Sequence, residues 1–238
     1  MNSNVKEVAW RGEPLRRGRH KLGPDEVRES QRGRLLRAMV ECVAEYGLEG
    51  TTVPKVVAAA RVSGTAFYGF FSDKADCFLA ACDEVAGELL GELVALAEEP
   101  DWIQAMRRGA RHYLRWWQER PVFARAYLLS LPASEERARE QRERVYESFR
   151  LMFADLGRRA RAEQPDLPPL SPIVPRALVL AITGLVTEEV AAGRTDRLHE
   201  LEDDVARLAI RLLADDATAA RAATAARSRT PREPGAGP

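Results

Sequence analysis

Apolar residues recur along this chain at spacings of three and four, never in sustained alternation, so the pattern predicts an all-α protein of about nine helices. Leu35, Leu36, Met39, Val40 and Val43 form one stripe and predict a first helix over about 25–46. Gly47 sits just past it, where a glycine relieves a left-handed cap. Thr52 is a candidate N-cap for about 53–60, with Pro54 in the first turn, and Ser63 for about 64–71. The turn between them is only Arg61 and Val62. A long helix follows from Asp73 to about 97, striped by Phe78, Cys82, Val85, Leu89, Leu93 and Leu96. Further helices are expected at about 101–118, from Pro121 to near Leu131–Pro132, and over 134–163, 172–192 and 198–214. The 134–163 helix has a charged first half, with Glu135/Arg139 and Glu140/Arg144 as i,i+4 pairs. The stretch 177–186 is apolar nearly all round, so both of its sides should be covered.

Charge changes this picture only when it is divided by region. The 36 Lys and Arg cancel the 36 Asp and Glu. Residues 1–74 hold 13 basic and 9 acidic side chains, a net of +4, and residues 75–214 hold 19 and 24, a net of −5. Residues 215–238 hold 4 and 3, a net of +1. All four lysines, Lys6, Lys21, Lys55 and Lys74, lie in the positive part, so the two ends of the chain should meet different partners. The divisions expected are a flexible basic arm at 1–24, a front domain at 25–75, a rear domain at 76–214, and a disordered tail at 215–238.

Several functions find no support. Cys42, Cys77 and Cys82 are odd in number and read as reduced, packed thiols. His20, His112 and His199 are scattered, and nothing calls for a metal or cofactor. The N-terminus lacks an apolar signal core, and 177–186 is too short for a bilayer, which needs ~20 residues. A cytoplasmic, nucleoid-associated protein with no membrane partner is expected. No G-x-S-x-G, H-E-x-x-H, P-loop or dinucleotide fingerprint suggests an enzyme.

The informative stretch runs from Thr51 to Lys74, TTVPKVVAAARVSGTAFYGFFSDK. Two short helices joined by a tight turn form a helix-turn-helix, whose second helix can enter the DNA major groove. Phe67 and Phe71 are i,i+4 and should pack that helix onto the first, leaving Tyr68 free to reach a phosphate. Lys55 and Lys74 stand near helix starts, where a cation and free N–H groups suit phosphate contacts.

On these residues, Gln31 to Val85 resembles the DNA-binding domain of the TetR family of bacterial transcriptional regulators. Val62-Ser63, Phe67-Tyr68 and Phe71-Ser72-Asp73-Lys74 match that family's V-S-x-x-x-[LF]-Y-x-x-F-x-x-K signature. Asp76 to Ala81 and the leader Arg17 to Leu22 resemble an actinobacterial-type subgroup. The resemblance implies a homodimer on a pseudo-palindromic operator, most simply a repressor released by a small effector bound in the rear domain. It places DNA contacts at Thr52, Lys55, Ser63, Gly64, Thr65, Ala66, Tyr68, Gly69, Phe70 and Lys74, with Arg17 and Arg19 of the arm. Two departures stand out. Gly64 and Gly69 have no side chain to read a base, and Arg61 replaces the usual turn glycine.

The rear aromatics supply a cavity for an apolar or aromatic effector. Its expected walls are Trp102, Met106, Tyr113, Trp117, Tyr127, Phe149 and Phe153, with Arg111 and His112 as polar handles. The resemblance places the dimer interface on the last two helices, at Leu178, Ile182, Leu185, Leu208 and Leu212, with Gly184 allowing close approach. The 73–97 helix is expected to be the only element touching both parts. The alternative function is a helical protein-interaction module that has lost DNA binding, with Gly64 and Gly69 as symptoms.

Overall fold

A computed structural model of the protein describes residues 23–130 and 136–214. Among them are nine α-helices, one 3₁₀ segment and no strand. The front comprises α1 (Pro24–Gly50), α2 (Val53–Ala60) and α3 (Gly64–Tyr68). Behind them lie α4 (Lys74–Ala97), α5 (Trp102–Gln118), α6 (Pro121–Ser130), α7 (Glu136–Glu163), α8 (Ile173–Ala191) and α9 (Glu202–Ala214). The 3₁₀ segment, Thr195–Leu201, precedes α9. No helix among the described residues is long and apolar enough to cross a membrane.

Side-chain caps set four of the helix starts. Thr52 Oγ1 accepts the Lys55 N–H at 3.5 Å, and Ser63 Oγ accepts that of Ala66 at 3.1 Å. Asp73 Oδ1 accepts the Asp76 N–H at 2.8 Å, and Asp101 Oδ1 accepts those of Ile103 and Gln104 at 2.8 and 3.2 Å. Each cap satisfies donors that a helix start leaves unpaired. Gly47 has φ +70 at the expected end of the first helix, but one more turn follows to Gly50, closed by the Thr51 N–H on Gly47 O at 3.1 Å.

Two boundaries differ from the sequence pattern. The recognition helix ends at Tyr68 rather than near 71, because the Gly69 N–H turns back onto Thr65 O and Ala66 O. The last α-helix begins at Glu202 rather than 198. Ahead of it, Gln118 Oε1 of α5 holds His199 through its N–H (3.0 Å) and Nδ1 (2.9 Å), and the chain there winds as 3₁₀. On α7, Arg139 pairs with Glu136 at 2.5 Å and Arg144 reaches Asp83 at 4.0 Å; Glu135 of the expected pair lies outside the described residues.

One continuous core joins front and rear. Leu35, Leu36, Met39 and Val43 of α1, Val56 of α2, Phe67 of α3 and Phe78 of α4 are fully buried. The three cysteines are free and buried within this core, as small packed thiols should be. The expectation that α4 alone links the two parts is corrected by two contacts. α6 packs extensively against α1, and α7 reaches the junction, where Arg137 Nη2 donates to Asp73 Oδ2 at 2.9 Å. Farther along α7, the fully buried Gln141 donates to Asp83 of α4 at 3.1 Å. At the other end of α7, a side chain on Gly157 would meet Leu170 Cδ2 at 2.6 Å, so glycine there lets the 164–172 connection lie close.

Candidate nucleic-acid interface and rear cavity

The turn of the helix-turn-helix rests on a strained residue. Arg61 ends α2 in the left-handed region at φ 53, ψ 48, the one positive φ outside glycine among the described residues. Its carbonyl accepts from Arg34 Nη1 of α1 at 3.4 Å. Phe67 and Phe71 are buried and stand 5.6 Å apart by ring centroid, fixing α3 on the core. Tyr68 points the other way and is 63% exposed.

Along this outer surface Thr52, Lys55, Ser63, Thr65, Tyr68 and Gly69 are exposed, while Gly64, Ala66 and Phe70 are half-buried. Ser63 and Thr52 use an oxygen lone pair as caps and keep a hydroxyl proton to donate outward. Lys55 Nζ donates to Gly50 O at 2.9 Å and lies 3.9 Å from the Tyr46 ring centroid, which leaves donors for a phosphate. Phe70 is overlaid by Arg28, whose guanidinium stands 4.6 Å from the ring and whose Nη2 donates to Gly69 O at 3.2 Å. Arg17 and Arg19 lie outside the described residues.

Lys74 behaves differently from its expectation. Its ammonium donates to Leu48 O at 2.8 Å, Glu49 O at 3.1 Å and Thr51 O at 2.9 Å, occupying all three protons. In this conformation it clamps the end of α1, and thereby the start of α2, instead of presenting a charge to DNA.

The rear domain encloses an apolar cavity of about 80 Å³. Of the expected wall residues, Met106, Tyr113, Trp117, Tyr127, Phe149 and Phe153 line it. Trp102 does not; it is buried elsewhere in the core. Trp116 and Phe123, two of the other rear aromatics, do line it. Val85, Leu89 and Leu93 of α4 form one wall, which follows from their stripe facing the same core. Trp117, Phe123 and Tyr127 form a stack, with centroids 5.8 Å (Trp117–Phe123) and 5.5 Å (Phe123–Tyr127) apart. Burial pushes the Tyr113 hydroxyl up to about 12. The expected handles face outward instead: His112 Nε2 meets Glu92 at 2.6 Å, and Arg111 Nε meets Glu202 at 2.9 Å.

The outer face of α8 corrects the expected interface. Leu178 and Ile182 are buried within their own chain, Ile182 in the cavity wall. The exposed apolar residues are Ile173, Leu180 (50%) and Leu185 (38%), with Gly184 open beside them. Leu208 and Leu212 of α9 are half-buried.

The chain thus joins a capped helix-turn-helix to a helical domain with an apolar cavity. Residues 35–81 match the family profile of bacterial regulatory proteins, tetR family. No curated protein sequence matches the chain. Solved structures agree in fold. The fatty acid degradation regulator FadR from Bacillus halodurans superposes at TM-score 0.68 with 18% identity, covering 74% of this chain and 96% of that one. The transcriptional regulator FadR from Bacillus subtilis, in complex with stearoyl-CoA, gives 0.69 and 18%, covering 75% and 97%. A tetR-family regulatory protein from Rhodococcus RHA1 gives 0.58 and 19%, covering 77% and 96%.

Proposed function

We propose that the chain is a TetR-family regulator, a dimeric repressor that binds a pseudo-palindromic operator and is released by a small apolar or aromatic effector. The observation that carries the reading is the shared helix α4. It begins at Lys74, five residues after the recognition helix closes at Gly69, and its middle forms a wall of the cavity. The stearoyl-CoA held by the Bacillus subtilis regulator of the same fold supports a ligand with an apolar chain.

The cavity is narrow. Ligand sites commonly span ~300–1,000 Å³, so about 80 Å³ cannot admit an effector with its walls at rest. Occupancy must spread α4, α5, α6 and α7, and three of these reach the DNA-binding domain: α4 and α6 through α1, and α7 through Asp73. An effector that binds the spread state more tightly shifts the population away from the DNA-competent spacing. A 100-fold loss of operator affinity requires ~2.7 kcal/mol of such coupling. The exposed Ile173, Leu180 and Leu185 supply the face through which two copies would hold their recognition helices at fixed separation.

The test is a gel shift with DNA flanking the protein's own gene against an unrelated fragment, with subunit stoichiometry measured in the complex. Specific retardation by an even number of chains, weakened in Tyr68→Ala and relieved by apolar compounds that raise Tm, is expected. Equal retardation of both fragments, or none, defeats the reading and favours an interaction module.

A further inference from the structure

Among the described residues, the cavity wall contains no Asp, Glu, Lys, Arg or His. An ionised group drawn inside would lose its water without gaining a counter-charge. Arg142 contributes to the field at Tyr127 but does not line the cavity. What polarity the wall has comes from hydroxyls and indoles. The Tyr113 hydroxyl is engaged by Thr183, and Trp117 Nε1 lies beside it without a hydrogen bond of good geometry.

Tyr127 is different. It is 8% exposed, and its hydroxyl has no hydrogen-bond partner. The ring is held by stacking on Phe123 and by Trp117, whose centroid is 5.7 Å away. Tyr127 lines the cavity together with its stacking partners Trp117 and Phe123, which puts its ring on the cavity side. Burial pushes its ionisation upward, so the group is a proton donor at any physiological pH. Buried polar groups in native proteins are almost always paired, and one left without a partner requires a reason.

We infer that the effector is an apolar molecule bearing an uncharged carbonyl, and that Tyr127 Oη donates a hydrogen bond to that oxygen inside the Trp117–Phe123–Tyr127 stack. This rests on the effector cavity proposed above and adds the chemistry of its polar end. A ketone, ester, amide or thioester carbonyl fits; a free carboxylate does not. The Tyr127 hydroxyl and the carbonyl each gain the partner that burial otherwise denies them.

The experiment uses three probes on the full chain at neutral pH: heptyl methyl ketone, the hydrocarbon in which a methylene replaces its oxygen, and nonanoate. Binding is read by quenching of tryptophan fluorescence, since Trp116 and Trp117 line the cavity. Tyr127→Phe should lower the preference for ketone over hydrocarbon roughly three- to tenfold, leaving hydrocarbon affinity unchanged. Trp116→Phe removes one of the two unpartnered indole donors of the wall, the other being that of Trp117, and should leave that preference intact. In the wild type alone, the infrared carbonyl band of the bound ketone should lie below its position in hexane, a readout that stands even if a variant does not fold. An unchanged preference in Tyr127→Phe, an unshifted band, or tighter binding of nonanoate than of the ketone overturns the assignment. If no probe binds the wild type, the cavity reading itself falls, and this inference with it.

Discussion

The front and rear of this molecule are packed to different standards. In the front, Leu35, Leu36, Met39, Val43 and Phe67 are fully buried, and long cations such as Lys74, Arg28 and Arg34 reach across to hold backbone carbonyls. In the rear, aromatics surround open space, a buried tyrosine hydroxyl lacks a partner, and Leu180 and Leu185 face outward. The part proposed to present a surface to DNA is braced across its helices within its own chain, the Ser30 hydroxyl being a buried group there that lacks a partner. The part proposed to yield to a ligand and meet a second copy has its open space and its exposed apolar side chains where they would fit.

The largest effect tests this contrast directly. Phe78→Ala removes a fully buried ring from the junction of α4 with the front core and should lower unfolding free energy by about 3–5 kcal/mol. Phe149→Ala removes a half-buried ring that already borders empty space and should lower it by only about 1–2 kcal/mol. Denaturant titrations at matched protein concentration decide. Equal losses would mean that the rear packs as tightly as the front and that the cavity is not pre-formed.

A smaller effect sits at the boundary between the two parts. Asp73 caps α4 and binds Arg137 of α7; the Asp76 N–H, helped by Arg137, holds its carboxyl below the usual carboxylate range. Asp73→Ala should cost about 1 kcal/mol, as lost N-caps do. Asp73→Asn keeps a cap and removes the charge. Because the folded pKa is depressed, the charge stabilises the protein above the unfolded value of about 3.9 and loses that contribution as pH falls through the folded value. The difference between wild type and Asp73→Asn should therefore be present at neutral pH and vanish in the acid limb, below about pH 4. A difference that grows on acidification would contradict the sign.

Local signals were legible in the sequence and distant ones were not. Thr52, Ser63, Asp73, Asp101 and Gly47 act within a turn of their own position, so their spacing to the next apolar run places the helix ends. Lys74 carries no such signal, since its carbonyl partners lie 23 to 26 residues upstream and become neighbours only when α4 packs on α1. The inward face of α8 was unreadable for a different reason. A helix apolar all round has no moment to choose with, so Leu178 and Ile182 could not be told from Leu180 and Leu185 until α8 was seen against α6 and α7. Trp102 shows the same limit within a stripe: periodicity marks a residue as buried but not whether its neighbour is another side chain or a void.

The smallest effect has the opposite sign and asks whether the front gives up stability for DNA. Arg61 holds φ 53, a conformation that costs an L-residue roughly 1–2 kcal/mol and glycine almost nothing. Glycine gives back about 0.5–1 kcal/mol through its freer unfolded chain. Arg61→Gly should therefore stabilise the protein by up to about 1 kcal/mol, read as a raised midpoint in denaturant. The Arg61 backbone carbonyl still accepts from Arg34 in the variant, so the turn survives. The Arg61 side chain is exposed beside the recognition helix and is free to meet a phosphate. Losing one such contact should lower operator affinity and reduce the slope of log affinity against log salt by about 0.9. A variant that is both more stable and equally salt-dependent would show that the strained arginine serves no DNA contact, and the front would then carry a residue that neither its packing nor its partner explains.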